Sequence, residues 1–182
     1  MTDTFSYPVT RVAQSRISQV DFDNLRFGAA FADHMFVIDY KNGQWGQGEI
    51  VPYGPWSFDP SMAALHYGQA IFEGLKAYKT LEGNVQIFRP QANFERFNES
   101  AKRMSMPVIP EEIFMGGLTQ LIKLDENWVP SQKGSSLYIR PFMVSTDEFL
   151  GVRIAETYRF AIICSPVGQY YSEPLKVKVE RT

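Results

Sequence analysis

Few side chains in this sequence combine a reactive type with a setting that suggests chemistry. The clearest is Arg140, in Ser136-Leu137-Tyr138-Ile139-Arg140-Pro141-Phe142. In a strand, alternation sends Tyr138, Arg140 and Phe142 to one face and Leu137, Ile139 and Met143 to the other. A guanidinium set between two aromatics needs an anionic partner if it is buried. On an exposed edge strand it could instead stack on tyrosine in solvent, and the pattern leaves both readings open. The segment Leu65-His66-Tyr67-Gly68-Gln69-Ala70-Ile71-Phe72-Glu73-Gly74 reads as a short amphipathic helix ended by Gly74, with Tyr67 and Phe72 as packing aromatics. Arg96 falls opposite the apolar helical face of Phe94, Phe97, Ala101 and Met104, so its spacing marks it as solvated.

Other chemistries lack the residues they need. Cys164 is the one cysteine, so the chain can form neither an intramolecular disulfide nor a cysteine metal cluster. It sits in the apolar run Phe160-Ala161-Ile162-Ile163-Cys164, where a buried, inert thiol is expected. His34 and His66 are the two imidazoles, far apart in sequence, and no metal site is expected. Glu73, Asp147 and Glu148 form no evident carboxylate pair. No phosphate-binding glycine loop is present, and Gly46-Gln47-Gly48 reads as a strand irregularity. A formal net charge of -2 with scattered basic residues gives no reason to expect nucleic acid or a membrane as partner. The first thirty residues hold Asp3, Asp21 and Asp23 and no long apolar run, so the expected location is the cytoplasm.

The elements that must position these residues follow from periodicity and punctuation. Residues 1–20 are polar and aperiodic, an expected surface arm. A strand over 34–40, an Asn-Gly turn at 42–43 and a second strand over 45–51 make a hairpin. A helix is expected over 61–72, and a second hairpin from strands at 76–80 and 85–89. Pro90 opens a helix to about 104, and Pro110-Glu111-Glu112 opens another to about 125, its acids suited to the helix dipole. Strands are expected over 137–144, 158–165 and 175–179. With 45% hydrophobic and 21% charged residues this is ordinary globular material. The mixture predicts an α+β fold, an antiparallel-dominated sheet with flanking helices. The expected organisation is an arm over 1–20, a small α+β domain over 21–168, and a connection over 169–182. A strand beginning near Leu175, a few residues before Thr182, suggests that the connection leads into a second domain.

Taken together, several stretches resemble the branched-chain aminotransferases of the pyridoxal-phosphate fold type IV class. They are RFGAAFADHMF (26–36), LHYGQAIFEGLKAY (65–78), IFRPQANFERFNESAKRM (87–104), WVP (128–130), SLYIRPF (136–142), LGV (150–152) and CSPVGQYY (164–171). They stand in that family's order and spacing and cover nearly the whole chain after the first twenty residues. The resemblance implies that Arg96 contacts the phosphate of pyridoxal 5'-phosphate, against its solvated pattern. It implies that Phe27, Tyr67, Phe72, Tyr138 and Arg140 line the substrate pocket, with Tyr170 on the interdomain connection. Val152 would reach into the pocket of a partner subunit, which implies a homodimer. The cofactor-holding lysine would lie beyond Thr182, so this chain is expected to be inactive alone. The complete protein would exchange amino groups between leucine, isoleucine or valine and 2-oxoglutarate. Alternatives are another fold type IV enzyme, such as D-amino-acid aminotransferase or aminodeoxychorismate lyase, or a non-catalytic dimerisation or ligand-binding domain.

Overall fold

Asn42 and Gly43 both adopt positive φ, 55° and 77°, the twist that suits a two-residue hairpin turn. They join β1 (His34–Lys41) to β2 (Gln44–Trp45), and β3 (Glu49–Pro52) continues along the same edge of β1. The expected second strand is therefore interrupted at Gly46–Gly48. Gly46 N–H still donates to Asp39 O at 2.8 Å. A Cβ on Gly48 would stand 2.7 Å from the Phe36 ring, so the close approach requires glycine there.

The computed structural model describes residues 7–169 and 174–180. After the first three strands come α1 (Ala63–Tyr67), β4 (Ala70–Phe72), β5 (Leu75–Lys79), β6 (Val85–Ile87), α2 (Pro90–Arg103), α3 (Glu111–Leu124), β7 (Ser136–Ser145) and β8 (Tyr158–Val167). Among the described residues one eight-stranded sheet runs in the order β2-β1-β8-β7-β5-β6, with β3 on β1 and β4 on β7. Its strand pairs are all antiparallel, as the sequence implied. Ten-residue β7 and β8 form its spine, with Tyr138 opposite Ser165 and Arg140 opposite Ile163.

Helices α2 and α3 cover one face. Phe97, Ala101, Phe114, Leu118 and Leu121 meet Phe36, Ile139, Met143, Phe160 and Ile162 in a continuous core. At about 25 cal/mol per Å² of apolar surface, burying these aromatics and branched chains is the main favourable contribution to folding. The opposite face is more open: Tyr138, Arg140 and Phe142 of β7 alternate as half-buried residues between buried neighbours.

Residues 7–16 are fastened to the domain. Pro8 and Thr10 exchange backbone hydrogen bonds with Ile50, and Tyr7 exchanges two with the Gln120 side chain. Asp33 accepts from Ser15 Oγ at 2.5 Å, Arg16 N–H at 2.9 Å and Trp128 Nε1 at 3.0 Å. Val12 N–H donates to His34 Nε2, which leaves Nδ1–H to donate to Asp125 at 2.7 Å.

Three expectations need correction. The helix expected over 61–72 ends after little more than a turn, because Gly68 takes φ 64° as its C-cap, and Ala70–Phe72 leaves as a strand paired with β7. Tyr67 and Phe72 are consequently 44% and 62% exposed, not core aromatics. Met104 lies past the end of α2 and is exposed too, and residues 175–179 form no strand. Among the described residues, no helix is long and apolar enough to cross a membrane, and no cluster of three or more His, Cys, Asp or Glu could hold a metal.

Candidate active site

Pairing between β4 and β7 sets Phe72 opposite Phe142. The ring of Phe72 covers Arg140, whose guanidinium carbon lies 4.1 Å from its centroid. Arg140 also donates through Nε and Nη2 to the Tyr138 hydroxyl at 3.0 and 2.7 Å. Among the described residues no carboxylate pairs with it. Arg159, on β8, is the instructive contrast. It grips Asp39 through two hydrogen bonds of 2.7 and 2.8 Å and stacks over Trp56. One arginine has its acid. The other is held by two aromatic faces and a hydroxyl, the arrangement an anionic ligand would complete.

Arg140 borders a largely apolar cavity of about 200 Å³ whose walls include Phe27, Phe31, Tyr138, Ile163 and Ser165. Phe27 meets Tyr138 edge-on at 5.0 Å. Ser165 Oγ is buried there without a hydrogen-bond partner among the described residues. The thiol of neighbouring Cys164, paired with Ile139, turns to the opposite, core face, where burial pushes it far above its usual value and leaves it inert.

Tyr138 also lines a second cavity of about 480 Å³, together with Gly74, Lys76, Asn93 and Arg96. A Cβ on Gly74 would stand 2.4 Å from the Tyr138 hydroxyl, so glycine is what lets this ring lie between the two cavities. Arg96, on α2, spans from this cavity to Glu73: Nε meets Oε1 at 2.6 Å and Nη2 meets Oε2 at 2.7 Å. Asn93 Nδ2 adds a 2.9 Å bond to Oε2. Burial pushes the Glu73 carboxyl up, but these donors outweigh it and hold it below its ordinary value. Phe72, Glu73 and Gly74 thus serve the site in three ways, as lid, anchor and gap.

Phe27, Phe72, Tyr138, Arg140 and Arg96 are therefore contiguous. Tyr67 and Val152 line neither cavity. The Tyr67 hydroxyl donates to the Leu150 carbonyl, and Val152 stands 88% exposed on the loop between β7 and β8. Asp147 pins that loop by accepting from Glu156 N–H, Thr157 N–H, Thr157 Oγ1 and Arg153 Nη2 at 3.0–3.1 Å. Tyr170 lies outside the described residues. Sequence reasoning weighed Glu73 only as a member of a carboxylate pair and gave it no role, and it passed over Asn93 and Ser165. For Glu73 a signal existed, a lone acid closing the apolar run Ala70-Ile71-Phe72.

No protein-family model matches the chain. Among solved structures it is similar to the branched-chain aminotransferase from Thermoproteus uzoniensis, solved with norvaline (TM-score 0.58, 24% identity, 76% of this chain and 43% of that one). It is likewise similar to the branched-chain amino acid aminotransferase of Escherichia coli (TM-score 0.53, 26% identity, 75% and 41%). The fold is that of the amino-terminal domain of fold type IV aminotransferases. Sequence relatives narrow the class. The chain is 50% identical over 165 residues to branched-chain-amino-acid transaminase 1 of Bacillus subtilis, covering 88% of this chain and 46% of that protein. It is 45% identical over 169 residues to the branched-chain-amino-acid aminotransferase of Mycolicibacterium smegmatis, covering 92% and 46%. The chain thus spans about half the length of the curated relatives it matches, and over that length it is similar to branched-chain aminotransferases.

Proposed function

We propose that this chain forms one wall of a pyridoxal-phosphate site that moves amino groups between branched-chain amino acids and 2-oxoglutarate. The observation that carries the reading is Arg140, a guanidinium with aromatic cover and no acid among the described residues, at the edge of an apolar cavity. Such a pocket can take an aliphatic side chain against Phe27 and Tyr138. It can equally take a chain ending in a carboxylate, whose charge Arg140 pairs. The two substrates of one exchange would then share one cavity.

The residues present fit the cofactor. Glu73 uses one edge of Arg96, whose side chain remains 68% exposed and turns its other edge outward, a fork suited to phosphate oxygens. When bound, pyridoxal phosphate supplies the electron sink that lets the amino group leave one carbon skeleton and join another. This chain's own residues do the rest of their work by placement. Arg96 holds the phosphate end, Tyr138 separates phosphate from substrate side chain, and Phe72 excludes water from Arg140. Val152 on its pinned loop would reach the pocket of a second copy in a homodimer, and Tyr67, whose hydroxyl holds that loop at the Leu150 carbonyl, would go with it. The lysine that holds the cofactor and moves the proton would come from the remainder of such a protein, whose place is the cytoplasm.

Arg140→Met in the full-length protein tests the reading. A charge-assisted hydrogen bond contributes about 1.5–3 kcal/mol, one to two powers of ten. The glutamate half-reaction should slow by about that factor in single-turnover kinetics, and the leucine half-reaction should stay within a few-fold. Equal losses for both substrates would reduce Arg140 to a structural residue.

A further inference from the structure

Glu73 is 5% exposed, yet the arginine it pairs with is largely in solvent. A chain that buries a carboxylate to hold an exposed guanidinium gains little stability from the pair itself, because the cation is screened by water. The geometry points to another role. Glu73 is fixed three times over: its N–H donates to Pro141 O at 2.9 Å, and its Oε2 accepts from Asn93 Nδ2 at 2.9 Å and from Gly74 N–H at 3.3 Å. Asn93 itself is steadied by a second bond, to Gly74 O at 3.3 Å. The carboxylate takes Nε–H and one Nη2–H of Arg96. The two protons of Nη1 and the second on Nη2 meet no acceptor among the described residues. One Nη1–H and the second Nη2–H share the remaining edge of the fork, and Arg96 borders the cavity that Gly74, Asn93 and Tyr138 also line.

We propose that Glu73, braced by Asn93, is the positioning residue of the cofactor-phosphate subsite. It clamps the inner edge of Arg96, so that the outer edge meets phosphate already aligned. The inference rests on the reading that Arg96 contacts the phosphate. A long, flexible side chain otherwise loses rotamer freedom on binding, and a clamp made during folding removes that loss from the binding step.

The test compares pyridoxal phosphate with pyridoxal, which lacks the phosphate, by equilibrium dialysis against the full-length apoprotein carrying Arg96→Met, Glu73→Gln, or both. Arg96→Met should abolish much of the preference for the phosphorylated ligand. Glu73→Gln should lower that preference about tenfold while leaving pyridoxal binding unchanged. In the Arg96→Met background, Glu73→Gln should add almost nothing, since a clamp without its arginine has no further effect. Should Glu73→Gln not fold, Asn93→Ala removes the brace alone and should produce a smaller loss of the same kind. Three results overturn the ideas separately. If Arg96→Met leaves the preference intact, the phosphate reading falls. If Arg96→Met lowers it and Glu73→Gln (or Asn93→Ala) does not, the clamp falls. Equal weakening of both ligands, or full additivity in the double variant, makes Glu73 merely structural.

Discussion

Asp33 ties the arm to the domain through three donors, and its ionisation is correspondingly tilted. Burial pushes its carboxyl up, but the bonds from Arg16 N–H, Ser15 and Trp128 outweigh burial and lower it. A carboxyl depressed in the folded state stabilises fully above its ordinary unfolded value of about 3.9, and that contribution is lost as pH falls through the folded value. Asp33→Asn should therefore cost about 1–3 kcal/mol at neutral pH and flatten the acid limb of stability below about pH 4. Urea unfolding across a pH series measures both. Burial pushes neighbouring Asp125 up despite the donation from His34, giving a slope of opposite sign; the Asp33 charge adds to that upward push, so the variant should relax Asp125 as well. At this scale the sequence was legible where strand alternation applies. It put Tyr138, Arg140 and Phe142 on one face, and they are there. It could not see Glu73 and Arg96 as a pair, because twenty-three positions separate them and the β5–β6 hairpin with the turn into α2 closes the gap.

Among the elements, α3 crosses β1 at Gly117. A Cβ on that glycine would stand 2.8 Å from the Phe36 ring, which Gly48 approaches equally closely elsewhere. Alanine is worth about 1 kcal/mol more than glycine within a helix, whereas overpacking a full core costs about 1–3 kcal/mol. Packing should win, and Gly117→Ala should lower the thermal midpoint by several degrees in calorimetry. An unchanged or raised midpoint would show that Phe36 can move. Long elements with clear punctuation were readable: Pro90 and Pro110 announced α2 and α3, and Asn42-Gly43 announced its hairpin. The helix expected over 61–72 was overdrawn for a physical reason. Ala70-Ile71-Phe72 is too short an apolar run to distinguish a helical period from a strand period, and pairing with β7 decides it. Gly68 was the available warning.

For the whole molecule, the two faces of the sheet are unequal. Helices bury one, while Phe27, Phe72 and Phe88 remain exposed around the other, with Leu150, Val152 and Ile154 on the pinned loop. Exposed apolar groups on this scale mark contact surfaces. The 182-residue chain should therefore self-associate at micromolar concentration. Sedimentation velocity checks this, and a single monomeric boundary would count against covered faces in the working protein. Composition and strand pattern disclosed the α+β class, but not which face lies open. That depends on β8 inserting between β1 and β7, a pairing across more than a hundred residues that no local period encodes.

The buried sulfur has a practical side. Cys164 is the chain's one cysteine, lies 1% exposed, and has a thiol that burial keeps protonated. Such a background is silent to maleimides, so a cysteine introduced at Val152 would be the one position in this chain to take a spin label or fluorophore. The separation between two such labels, read by dipolar spectroscopy, would convert the placement of that loop in an assembly into a measured length.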